Sequence, residues 1–84
     1  MANVKVGTIT HYFDKIQVAV LEIEEEAVRV GDTIYLGEEP DGFAQKISSM
    51  QVEHVSVEEA KKGDAVGLKV DQAVHKGIPV YKVI

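Results

Sequence analysis

The sequence predicts an all-β domain, a small closed antiparallel β-barrel of about six strands with one short helical turn. Three observations predict it. The chain holds 14 Val and 7 Ile but only 3 Leu, and branching at Cβ crowds a helix while packing well on a pleated strand. Short β-prone segments recur between turn signals, the pattern of a sandwich or barrel. At 84 residues there is room for one domain, 1–84, with a thin core and little space for a deep catalytic cleft.

Each element follows from its own signals. The first strand is expected near Val4 to Tyr12 and the second near Lys15 to Ile23, joined tightly through Phe13-Asp14. A strand near Thr33 to Leu36 precedes the loop Gly37-Glu38-Glu39-Pro40-Asp41-Gly42, which Gly and Pro punctuate. A longer strand is expected from Phe43 to about Val55. Within it Ile47 has one parity and Met50 and Val52 the other, so a bulge or bend is required to bury all three. Ser56-Val57-Glu58-Glu59 has the capping-box pattern, and Gly63 is placed to end a short helical turn there. Val66, Leu68 and Val70 alternate with Ala65, Gly67 and Lys69, and a last strand runs from Pro79 to Ile84 with Pro79 at its start or on an edge. Three turns echo one another: Arg29-Val30-Gly31-Asp32, Lys61-Lys62-Gly63-Asp64 and His75-Lys76-Gly77-Ile78. A reused turn device explains them.

The second strand is apolar on both faces, with Ile16, Val18 and Val20 on one side and Ala19, Leu21 and Ile23 on the other. A barrel wall needs one apolar face. The second implies loop cover or a patch that meets another protein.

Charge and composition narrow the function. The net charge is −5, divided as +1 over residues 1–21, −9 over 22–59 and +3 over 60–84. So acidic a chain is a poor non-specific binder of nucleic acid, because that affinity comes from basic side chains on phosphates, and DNA is not expected as a partner. The lysines at 61, 62, 69, 76 and 82 are the ones that would make a local basic face. With no Cys there are no disulfides, thiolate metal sites or cysteine nucleophiles. The start of the chain lacks the pattern of a signal peptide, and no apolar stretch has a membrane span's length, so the expectation is a cytoplasmic protein without a membrane partner. His11, His54 and His75 lie 43 and 21 residues apart and form no local metal motif. None of Ser48, Ser49 and Ser56 stands in a G-x-S-x-G context, and no P-loop is present. The expectation is a non-catalytic chain with no cofactor and no metal.

The stretch Ser49-Met50-Gln51-Val52-Glu53-His54, with Val57-Glu58-Glu59-Ala60, Gly63-Asp64 and Val66-Gly67-Leu68-Lys69-Val70, resembles the second domain of elongation factor Tu and related translational GTPases. Gly7-Thr8-Ile9, Val30-Gly31-Asp32-Thr33-Ile34 and Lys76-Gly77 fit the same pattern, so the resemblance runs from about residue 4 to 83. It implies a closed barrel without the GTPase domain, acting as a binding module for RNA, the ribosome or a translation-related protein. Thr8 departs from the Arg usual after the family's first Gly, and polar Glu53 and His54 replace its amino-acid pocket lining. Lys61, Lys62 and His54 are the expected binding residues, contacting phosphate or acidic side chains. The alternative is an accessory barrel that docks on a partner enzyme through the apolar second-strand face.

Overall fold

Branched side chains alternating along the strands build the core. In the first strand, β1 (Asn3–Phe13), Val6 and Ile9 are fully buried while His11 and Phe13 face outward. In the second, β2 (Val18–Ile23), Ala19, Leu21 and Ile23 point inward. The chain is described by a computed structural model over residues 3–38, 42–53 and 55–83. Eight further strands follow among those residues: β3 (Val28–Arg29), β4 (Thr33–Leu36), β5 (Phe43–Lys46), β6 (Met50–Val52), β7 (Val55–Val57), β8 (Glu59–Ala60), β9 (Ala65–Lys69) and β10 (Pro79–Val83).

Eight strands form one sheet in the order β5-β4-β10-β1-β2-β9-β6-β7, and β3 pairs with β8 in a small second sheet. All the pairs are antiparallel. The large sheet keeps two edges, β5 and β7, so it is a curled half-barrel and not the closed six-stranded barrel expected from sequence. Its curl starts in β1, whose register slips between Lys5 and Gly7 against β10 and between Ile9 and His11 against β2. Bulges of this kind bend a strand and increase its twist.

The strand expected from Phe43 to Val55 breaks where its parity changes. Residues 47–49 leave the sheet, and β5 and β6 stand toward opposite ends of the strand order. Ile47 clamps this corner: its N–H donates to the Asp32 carbonyl, and its own carbonyl accepts from the Gly31 N–H, both at 2.9 Å. Gln45 ties the two halves of the sheet across the interior. Its Nε2 donates to the Lys69 carbonyl at 2.9 Å and its Oε1 accepts from the Asp71 N–H at 2.8 Å.

Among the described residues there is no helix, and the expected helical turn is extended chain. Val55, Ser56 and Val57 pair with Val52, Gln51 and Met50, while Glu59 and Ala60 pair with Arg29 and Val28. One turn of helix pays nucleation for very few hydrogen bonds. Pairing here instead buries Ala60 and Val28 completely.

The echoing turns share one construction. Arg29 N–H donates to the Asp32 carboxylate at 2.8 Å while Asp32 N–H donates back to the Arg29 carbonyl at 3.0 Å. Lys61 and Asp64 repeat this pair at 2.9 Å each. Gly31 and Gly63 supply the positive φ at the third position, 98° and 94°, as a type II turn requires. In the third copy Gly77 keeps the φ, at 94°, but Ile78 brings no carboxylate.

Candidate functional site

Register places the outward residues of four neighbouring strands in rows. His11, Val20, Gly67 and Gln51 form one row across β1, β2, β9 and β6; Phe13, Val18 and Lys69 form the next. Behind them Val66 and Leu68 of β9 are buried, so its outward residues are Ala65, Gly67 and, at the strand's end, Lys69. Small side chains between larger neighbours leave a groove along β9. Val18 and Val20 flank one side, Gln51 and Glu53 the other, and Phe13 and Ile16 stand at one end of this hollow of about 260 Å³.

The face is apolar and open among the described residues. Phe13 is 51% exposed and Ile16 61% exposed. Ile16 is nevertheless held in an ordered turn. Its N–H donates to the Phe13 carbonyl at 3.3 Å, and the next residue's carbonyl, on Gln17, accepts from the Val70 N–H at 3.0 Å. Gln17 takes a left-handed φ of 55° to make that bend. A large aliphatic side chain exposed to water, on a turn whose backbone is pinned to a neighbouring strand, offers apolar surface to a partner.

Two of the three residues expected to bind lie elsewhere. Lys61 and Lys62 are exposed in the turn between β8 and β9, where the Lys61 backbone serves the Asp64 cap. His54 lies outside the described residues. Of the other lysines, Lys82 pairs with Asp32 at 3.5 Å, Lys69 borders the apolar rows, and Lys76 sits in the turn before β10. Phe13, Gly67 and His11 were not singled out from sequence as partner contacts; His11 stacks beside Phe13, ring centroids 6.3 Å apart and planes at 26°. Its spacing of two from Phe13 on a strand was the available signal.

Chemistry is sparse on the rest of the surface. Among the described residues no three His, Asp or Glu side chains gather as a metal site. A larger hollow of about 410 Å³ lies between Gly37-Glu38 and the Val74–Pro79 segment, and its lining includes His75 and Glu38 but no hydroxyl or thiol nucleophile.

No family model matches the chain. It is similar to an uncharacterised protease of Methanocaldococcus jannaschii, 34% identical over 80 residues, covering 94% of this chain and 19% of that protein. It is also similar to a collagenase of Porphyromonas gingivalis, 30% identical over 81 residues, covering 95% of this chain and 20% of that one. The chain thus spans about a fifth of the length of the curated relatives it matches. Its fold is that of the C-terminal domain of a Geobacillus thermoleovorans protein taken to be a U32 peptidase. A crystal structure of that domain superposes with a TM-score of 0.84 at 21% identity, covering 94% of this chain and 91% of that one. These findings overturn the resemblance to elongation factor Tu and with it the reading as a translation module. The residues that carried that resemblance are Gly-Asp turns and alternating strands, devices that unrelated small β-domains share.

Proposed function

We propose that this chain is a non-catalytic accessory domain of a peptidase, packing on the catalytic body through the outer face of β1, β2 and β9. The observation that carries the reading is the mismatch of lengths: nearly all of this chain aligns with about a fifth of a protease and of a collagenase. The remaining four-fifths of such proteins is the place for the peptide-cleaving machinery. The fold supports the same division, since its neighbour is a terminal domain of a longer protein. An exposed apolar face rimmed by polar residues is what a domain of this kind presents to its body. By the same analogy the body's substrates are proteins, with collagen-like chains as one class.

The test is an affinity measurement. The chain is immobilised and exposed to the Methanocaldococcus jannaschii protease lacking its own matching 80 residues, in a preparation that first shows cooperative thermal unfolding. Binding is expected to change less than about threefold between low and high salt, since an apolar contact is little screened. A loss of about a thousandfold, the behaviour of contacts to phosphate, or the absence of binding contradicts the proposal.

A further inference from the structure

Resting on that docking reading, we infer that the groove along β9 is a socket for one large apolar side chain of the peptidase body, and that Gly67 keeps it open. Gly67 lacks a structural reason to be glycine. Gly31, Gly37, Gly63 and Gly77 have left-handed φ. A Cβ on Gly7 or Gly42 would overlap a backbone carbonyl oxygen. At Gly67 the backbone is ordinary strand, and a Cβ would meet only the Val18 Cγ1 at 3.5 Å and the Gln51 carbonyl at 3.9 Å, both normal contacts.

Glycine inside a strand costs conformational entropy and forgoes cross-strand packing. A strand glycine often marks a bulge, a tight bend or a close approach from outside the sheet, and the ladders on both sides of Gly67 run without a register shift. What its missing side chain leaves here is space, at the centre of the outward row His11–Val20–Gly67–Gln51. The hollow of about 260 Å³ suits one Leu-, Met- or Phe-sized group. A helix, about 10 Å across, is too wide to enter. Val18 and Val20 make one wall apolar, Phe13 and Ile16 shield the end, and Gln51 and Glu53 form a polar rim. A desolvated pocket inside such a rim is the anatomy of an interface hot spot. The occupant is assigned to the peptidase body because relatives that contain this domain carry several times its length of further chain.

The experiment uses this chain against the same truncated protease, with three proteins compared: wild type, Gly67→Leu, and the pair Phe13→Glu with Ile16→Glu. The leucine side chain introduced by Gly67→Leu would fill the socket from within, and its outward position leaves the core untouched. The expected result is a loss of affinity of about thirtyfold or more for Gly67→Leu, with thermal unfolding as cooperative as in wild type. Should Gly67→Leu fail to fold, Gly67→Ala replaces it, with an expected loss of about threefold to tenfold. If the Gly67 variants bind like wild type while the charged pair does not bind, the socket is wrong and the docking face stands. If wild type itself does not bind, the docking reading falls with the socket. A wild-type dimer in sedimentation that Gly67→Leu dissolves would assign the groove to a second copy and overturn the inference.

Discussion

Gly7→Ala is expected to destabilise the domain by about 3–5 kcal/mol, lowering the midpoint of thermal unfolding by roughly 12 °C or more. The reason is a collision without an exit. The added Cβ would overlap the Glu22 carbonyl oxygen and lie 2.9 Å from its carbon. Glu22 belongs to the paired strand β2, and Gly7 itself is held between Ile23 on one side and Val80 on the other. Relief therefore requires parting two ladders. The neighbouring Val6 carbonyl accepts from both Glu24 and Glu25 N–H, at 2.8 and 3.0 Å, so the bulge is also tied to the loop beyond β2. A domain of this size has roughly 4–12 kcal/mol of stability in all, so the loss removes much of it. A shift below about 5 °C in a thermal melt would mean that β1 re-registers without cost.

Gln45→Leu is expected to cost about 2–4 kcal/mol, although leucine replaces a side chain of similar size in a nearly dry site. Gln45 is 7% exposed, the one buried polar residue among those described. Its amide holds the Lys69 carbonyl and the Asp71 N–H together. Leucine leaves both part-buried backbone groups without this partner, and each group so orphaned costs about 1–2 kcal/mol. The strap joins β5, an edge of the sheet, to the end of β9, so its loss loosens the curl that the ladder itself does not close. Urea unfolding checks this: the midpoint falls while the slope is unchanged. An unchanged midpoint would show that the half-barrel holds its curl without Gln45.

Much of the fold was readable from residue patterns because those patterns are local. The Val and Ile content, the strand at Thr33–Leu36 and the repeated Gly-Asp turns need no knowledge of partners. The conflict of parity between Ile47 and Met50 correctly required a bend, and the structure makes it a full break between strands. Closure was not readable, because it depends on whether β5 and β7 meet across the sheet, a long-range matter. At Ser56–Glu59 a genuine capping signal lost to pairing partners on β6 and β3 that no local window contains. The elongation-factor resemblance failed for a related cause: shared turn chemistry looks like shared ancestry when the strands between turns are short.

The same divide runs through the site. Two-faced apolarity was visible in Ile16, Val18 and Val20; the structure starts the second strand only at Val18, puts Ile16 in the turn before it, and leaves that outer face open. The groove beside it was not visible, since it needs β9 to lie next to β2 and so set Gly67 against Val20. The lysines attracted notice as charge, but in the structure the Lys61 backbone builds a turn and Lys82 pairs with Asp32 at 3.5 Å. Partly exposed pairs of that kind contribute under about 1 kcal/mol.

The most direct test of the docking account is cross-saturation by nuclear magnetic resonance, with this chain deuterated and the truncated protease body protonated. Docking through this face predicts attenuation confined to the groove's lining, Phe13, Ile16, Val18, Val20, Ala65 and Gly67 with the Gln51 and Glu53 rim. Attenuation centred instead on Tyr35 and Tyr81, paired on the β4–β10 side of the sheet, would place the body on another face and contradict it.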